Sequence, residues 1–155
     1  MVFCFSVLCG RETDLVREFK NDDLDKVMAI WLASNISAHH FVPKNYWINH
    51  YDEVRRLLPD SQIVVYESEG DIKAFLGTVD GYIAGIFVSA ESQSLGIGKQ
   101  LLDTVKKDYS ELSLKVYKEN IRAVRFYQRE QFIIKQEQIE QETGETEYLM
   151  IWKKH

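Results

Sequence analysis

The chain has 155 residues, 45% hydrophobic and 28% charged, which is the size and balance of one globular domain and not of two domains or a disordered tail. Its 19 basic and 24 acidic residues leave a net charge of -5, which argues against a broad basic face for nucleic acid. Cys4 and Cys9 are the only cysteines, no CxxC or Cys/His cluster follows them, and the 2 prolines are too few for a long polyproline linker, so neither a zinc site nor a stiff spacer is expected.

The opening MVFCFSVLCG is apolar, but it lacks a basic start and is too short to cross a bilayer. Residues 1–14 read as an extension, frayed or loosely attached, ahead of a domain at 15–155. No other apolar run approaches ~18 residues, so a cytoplasmic protein without membrane contact is expected. Leu15–Lys20 alternates apolar and polar residues and predicts a strand. Asn21 and Asp22 offer caps for a helix whose apolar face is Leu24, Val27, Met28, Ile30, Trp31 and Leu32, ending near Ser34–Ser37. Pro43 restarts the chain into a helix carrying Tyr46, Trp47, Tyr51, Val54, Leu57 and Leu58, which Pro59 stops.

Ile63–Tyr66 is a β-branched run and predicts a strand. Glu69-Gly70-Asp71 predicts a turn, Ile72–Val79 a strand, and Asp80-Gly81 a hairpin turn. Tyr82–Val88 is almost uniformly apolar, as in a central strand buried on both faces. After a glycine-bearing loop, Leu101, Leu102, Val105 and Tyr109 mark the inner face of a helix. Leu112–Tyr117 follows as a strand, then a helix capped by Asn120 and carrying Ala123, Val124, Phe126 and Tyr127. Two alternating strands, Phe132–Ile139 and Glu147–Trp152, meet through Thr143-Gly144-Glu145. The order β-α-α-β-β-β-α-β-α-β-β is that of a mixed α/β (α+β) domain.

Chemistry concentrates at Gln93-Ser94-Leu95-Gly96-Ile97-Gly98-Lys99, between the apolar strand and the helix. A helix start exposes unpaired N–H groups at the positive end of its dipole. Glycines there let the backbone turn tightly and approach a ligand closely, and successive N–H groups make a nest for a di- or triphosphate. Lys99 adds a mobile positive charge. A glycine loop with no ligand is the plainer reading of these residues. Gln100 after Lys99 and Leu101 where a third glycine belongs exclude the P-loop and dinucleotide fingerprints.

Gln93-x-x-Gly96-x-Gly98 after Phe87-Val88 resembles motif A of the GNAT superfamily of acyl-CoA-dependent N-acetyltransferases, which runs Q/R-x-x-G-x-G/A. Asn120-x-x-Ala123-x-x-Phe126-Tyr127-x-x-x-x-Phe132 resembles the next motif of that family, and the element order from Leu15 to Trp152 is similar throughout. Gln131 stands where the family usually has glycine, which should alter the helix C-cap.

The resemblance implies a single-domain fold with a central mixed sheet of about seven strands and about four helices. It implies acetyl-CoA as co-substrate, no metal, and no covalent acyl-enzyme, since Cys4 and Cys9 lie outside the motifs. The pantetheine arm is expected on free backbone groups around Phe87 and Val88, beside a strand that splays from its neighbour. The pyrophosphate is expected on Gln93, Ser94, Leu95, Gly96, Ile97, Gly98 and Lys99. Asn120 is expected near the pantetheine, and the Tyr127 hydroxyl near the thioester sulfur, where a phenol protonated at neutral pH can donate to the departing thiolate.

His39, His40, Phe41, Trp47 and Tyr82 are the candidates for the acceptor pocket. His39, His40, Glu67 and Glu119 are candidates for the base. The segment 136–147 holds Glu137, Glu140, Glu142, Glu145 and Glu147 without Lys or Arg; it is either a solvated hairpin or an acidic rim that steers a cationic amine. The expected activity is acetyl transfer to a primary amine, small-molecule or peptide, by direct attack in a ternary complex. The alternative is a CoA-binding sensor or interaction module without catalysis. A nucleotide in the glycine loop is a third reading. A monomer and a homodimer are both compatible with the sequence.

Overall fold

The computed structural model describes residues 14–155; Cys4, Cys9 and nearly all of the expected N-terminal extension lie outside them. The described residues form β1 (Leu15–Glu18), α1 (Leu24–Ala38), α2 (Lys44–Leu57), β2 (Gln62–Ser68), β3 (Asp71–Val79), β4 (Tyr82–Val88), α3 (Ile97–Lys106), β5 (Glu111–Tyr117), α4 (Ile121–Arg129), β6 (Ile133–Ile139) and β7 (Thr146–Lys153). The expected order of elements holds. The strands make one seven-stranded sheet in the order β1-β2-β3-β4-β5-β7-β6. Every neighbouring pair is antiparallel except β4 and β5.

The two faces of the sheet are packed by different helices. Val27, Met28 and Trp31 of α1 and Trp47 of α2 cover Ile63, Val65 and Phe75 on one face. Leu101, Leu102 and Val105 of α3 and Val124 and Tyr127 of α4 cover Leu76, Ile83, Leu112, Leu114 and Met150 on the other. Turn chemistry sets the hairpins. Glu69 and Gly70 have φ of 54° and 78°, and Asp80 and Gly81 have 49° and 80°, the double positive φ of a tight hairpin turn.

Three local features differ from expectation. A 3-10 turn over Asn21–Asp23 precedes α1, and the helix runs on to Ala38. Within that turn Asp23 is the organising residue, not Asn21 or Asp22. Its carboxylate accepts two bonds from the Arg17 guanidinium, at 2.8 and 3.0 Å, and one from the Lys20 N–H at 2.8 Å. Arg17 also reaches Glu67 at 3.2 Å, so one guanidinium ties β1, the turn and β2 together.

The Arg17 bonds, opposed by burial and aided by the Lys20 N–H, hold Asp23 below its ordinary value of 3.8. A carboxyl lowered by folding stabilises the fold above that ordinary value, and the contribution is lost as pH falls through the lower folded value. Asp23→Ala is therefore expected to cost about 2 kcal/mol at pH 7. Denaturant titrations should show the gap between variant and parent closing below pH 4.

The second difference is Gln131. Its φ is +74°, so the left-handed C-cap conformation is kept although the residue is not glycine. The Phe132 N–H donates to Tyr127 O at 2.9 Å and the Gln131 N–H to Gln128 O at 3.1 Å, which is the Schellman pair of bonds. The Phe132 and Tyr127 rings meet 5.5 Å apart across it, and Lys106 Nζ donates to Glu130 O at 2.7 Å. These contacts hold glutamine in a conformation that costs an L-residue about 1 kcal/mol. Gln131→Gly is expected to raise the melting temperature by 2–4 °C, the shift ~1 kcal/mol gives a domain of this size, with turnover unchanged.

The third is β4. Only Tyr82 and Ile83 pair with β5, opposite Ser113 and Leu114. Pairing with β3 slips between Gly77 and Thr78, which leaves Ala84 as an extra residue in β4, a bulge. Beyond it β4 and β5 part. Tyr82 and Ala84 are exposed and Gly85–Val88 half-buried, so the strand is not buried on both faces.

Candidate active site

The parted strands open a groove of about 840 Å³ whose lining runs from β4 through the glycine loop to the start of α4. A carbon added at Gly85 would come within 2.4 Å of the Phe87 ring, so glycine lets that ring fold back over the strand. There it stacks on Phe75 at 4.9 Å. Free backbone groups were expected at Phe87 and Val88, but the carbonyl of Val88 is taken. It accepts from Gln93 Nε2 at 3.2 Å and from Ser34 Oγ at 3.4 Å.

The glycine loop turns through two left-handed residues, Ser94 at φ 64° and Gly96 at φ 78°, and Gly96 is the N-cap of α3. The first helical bond is Gln100 N–H to Gly96 O at 3.2 Å, which leaves the N–H groups of Ile97, Gly98 and Lys99 as the unpaired donors of the helix start. This is a backbone geometry suited to an anion, and two residues of the loop differ from expectation. Lys99 is not a mobile charge: its ammonium sits 3.2 Å from both Asp103 and Glu130. Leu95 is 68% exposed and takes no part in the lining.

The cation over the loop is Arg122. It donates to Gln93 Oε1 at 2.6 Å and to Ser94 Oγ at 2.9 Å. It had been overlooked, although an arginine in the first turn of a helix opposes the dipole and so asks for another reason to be there.

At the mouth of α4, Asn120 does cap the helix, accepting from the Ala123 N–H at 3.3 Å. Its Nδ2 also donates to His39 Nε2 at 3.1 Å, joining the end of α1 to the start of α4. Burial pushes His39 down to about 4, against a smaller raising effect of Asn35. The ring is therefore neutral near pH 7 with its Nε2 lone pair taken, a poor arrangement for a general base. Tyr127, two turns along α4, lines the same groove and is 7% exposed. Burial, and then the nearby Tyr82 hydroxyl, push its phenol well above the ordinary value of 10.0. It keeps its proton at any pH at which the protein works.

The other candidates separate. His39 stacks on Trp47 at 5.1 Å, and Trp47 is buried against Trp31. Phe41 packs edge-on to His39 and Tyr117, and His40 is exposed. Glu67 is held by Arg17, while Glu119 borders the groove.

Tyr82 alone of the acceptor set opens onto a second cavity, of about 500 Å³. Glu140 and Glu147 of the acidic segment line it with Tyr46, Gln138 and Tyr117, the last of which carries no signal in the sequence. The hairpin between β6 and β7 meets α2 beside this cavity, where His50 Nε2 lies 3.1 Å from Glu142. Thr143 Oγ1 and the Thr143 and Glu142 N–H groups bind Glu140 at 2.6, 2.8 and 3.0 Å. Burial raises the Glu140 carboxyl, but these bonds outweigh it and leave the group below its usual value. Tyr82, on the second cavity, lies near enough to Tyr127, on the groove, to raise its phenol.

Residues 37–150 match the acetyltransferase (GNAT) domain family model. The chain is 31% identical over 140 residues to the peptidyl-lysine N-acetyltransferase YiaC of Escherichia coli K12, covering 89% of this chain and 96% of that protein. It is 25% identical to the peptidyl-lysine N-acetyltransferase YjaB of the same organism, over 74% of this chain and 78% of the relative. The solution structure of apo YjaB from Escherichia coli superposes with a TM-score of 0.79 at 20% identity, covering 90% of this chain and 97% of that one. The yncA acetyltransferase of Salmonella typhimurium, solved with acetyl-CoA, superposes at 0.63 with 13% identity, covering 92% and 95%.

Proposed function

Because the chain belongs to the GNAT family of acetyltransferases and its activity is acetyl-CoA-dependent N-acetyl transfer, we propose that the groove beside β4 seats acetyl-CoA and that a primary amine enters from the cavity beyond Tyr82. Three observations support the fit: the N–H groups of Ile97, Gly98 and Lys99 are unpaired donors suited to a pyrophosphate, Arg122 stands over them, and β4 past Ile83 is free of β5. Phe87, Val88, Gln93 and Ser94 complete the walls. Among the described residues no three His, Cys, Asp or Glu side chains gather as a metal site, and no helix is long and apolar enough to cross a membrane.

The observation that carries the reading is the placement of Tyr127, a protonated phenol that lines the groove near Tyr82 of the second cavity. When bound, acetyl-CoA supplies a thioester carbonyl open to a nucleophile. The ammonium first loses a proton to a base or to water, the freed lone pair bonds to that carbon, the C–S bond breaks, and the nitrogen sheds its second proton. Tyr127 donates its hydroxyl hydrogen to the sulfur, which leaves as the thiol, and the phenolate is reprotonated through water by the proton the nitrogen has shed. Asn120 fixes the start of α4, and with it the position of Tyr127 two turns along. The transfer runs directly in a ternary complex.

The names of the relatives point to peptidyl lysine as the acceptor, and the acidic cavity suits a cationic chain. The test is thiol release from acetyl-CoA across a panel of lysine peptides, free amino acids, polyamines and aminoglycosides. Turnover with lysine peptides supports the proposal. Tight acetyl-CoA binding with no turnover on any amine would instead make this a binding module.

A further inference from the structure

We propose that Glu147 is the seat of the acceptor's ammonium, so that the protein selects amines that arrive charged on an unbranched alkyl chain. The inference deepens the functional reading above and rests on it.

Strand parity is the first observation. In β7, Glu147 lies on the same face as Leu149 and Ile151, opposite Tyr117, Lys115 and Ser113 of β5. A carboxylate thus occupies a position whose neighbours in the strand are apolar. It is only 8% exposed. Among the described residues it has no ion-pair partner. One oxygen, Oε1, accepts from Gln138 Nε2 at 2.9 Å; Oε2 has no protein donor. Lys115 borders the same cavity but is exposed and makes no bond to Glu147.

The Glu147 side chain is thus mostly buried with no countercharge, and its Oε2 meets only the solvent of the cavity, which favours a ligand that brings a positive charge to it. Such a group is retained where a ligand supplies the missing charge. Glu147 lines the 500 Å³ cavity, so a cation entering it meets the free oxygen. The rest of the lining suits an alkylammonium. The rings of Tyr46, Tyr82 and Tyr117 offer faces to a methylene chain and to its charged end. Tyr82 lies near Tyr127, so a nitrogen held by Glu147 stands on the side of the groove where the thioester is proposed. The peptidyl lysine side chain and a free alkylamine share this chemistry.

The experiment compares the parent protein with Glu147→Gln, which keeps the side chain's shape and an acceptor for Gln138. Both are titrated, in their CoA complexes, with a single-lysine peptide, with the same peptide carrying norleucine, and with butylamine. The parent is expected to bind the lysine peptide at least tenfold more tightly than the norleucine peptide, and Glu147→Gln to bring the two within about twofold. Acetyl-CoA affinity should be unchanged. The variant should melt at or above the parent temperature, because an uncompensated buried charge has been removed.

A preference for lysine that survives in Glu147→Gln overturns the proposal. A variant that melts several degrees lower also overturns it, since Glu147 would then be a structural group. Loss of butylamine binding in the variant supports the seat for free amines, and loss confined to the peptide supports it for lysine side chains. A parent protein that fails to bind acetyl-CoA counts against the functional reading instead, and is read from a separate titration.

Discussion

Tyr127→Phe is expected to lower kcat by about 10²- to 10³-fold while leaving the affinity for acetyl-CoA and the melting temperature within error of the parent. The substitution removes one oxygen and keeps the ring that packs 5.3 Å from Phe126 and 5.5 Å from Phe132. Stability should barely move, because no hydrogen-bond partner is stranded. The rate should fall because a thiolate departing without a proton donor loses the general-acid contribution, about 10²–10⁴-fold where a side chain is well placed. Burial, followed by the Tyr82 hydroxyl, raises the phenol. The donor therefore stays protonated through alkaline pH, and the parent should show no loss of rate from this group up to pH 10. Single-turnover kinetics at saturating acetyl-CoA separate this loss from any change in binding or product release.

Gly96→Ala and Gly98→Ala are expected to act in opposite directions on stability, although the two residues stand two apart at one helix start. Gly96 has φ +78°, and a carbon there would meet nothing within 4 Å. Space is no obstacle; the backbone conformation is. An L-residue in that region costs about 1–2 kcal/mol, and the strain is relieved by turning the N–H groups of Ile97–Lys99 out of the nest. A loss of about 1 kcal/mol in stability and at least tenfold in acetyl-CoA affinity is expected.

Gly98 lies inside α3. A carbon there would make ordinary contacts, 3.5 Å to the Phe126 ring and 3.8 Å to Ile86. Alanine should stabilise the helix by about 0.5–1 kcal/mol and leave acetyl-CoA affinity within about threefold, in keeping with the G/A tolerance of motif A at this position. Calorimetric melting and isothermal titration of both variants check the pair. Equal effects at the two positions would count against a cradle built from backbone conformation.

Most of the element order was legible along the chain because its signals are local. The helical stripe of Leu101, Leu102 and Val105, the strand of Leu112–Tyr117 and the hairpin turn at Asp80-Gly81 each depend on neighbours within a few residues. The same holds for the site motifs. Gln93 to Gly98 describes one loop and its helix start, and Asn120 to Tyr127 describes two turns of one helix. A spacing fixes both, whatever surrounds them.

Other features belong to pairs of residues far apart, and only the folded chain decided them. Lys99 was expected to serve a ligand, but Glu130 lies 31 residues away in sequence and takes the charge, while Arg122 crosses back over the loop from α4. His39 reaches Asn120 across 81 residues, and burial at that junction makes it neutral. β4 read as doubly buried because its seven residues are nearly all apolar; its opening depends on where β5 stops pairing, which no residue of β4 encodes alone.

Glu147 shows the division most clearly. The alternation of β7 placed it on one face by parity, and that much was determined by the sequence itself. Whether that face met bulk water, a lysine or an open cavity depended on how α2, β5 and β6 pack around it. Desolvation is a property of everything packed near a group, and so it is decided by the tertiary structure and not by the local run of residues.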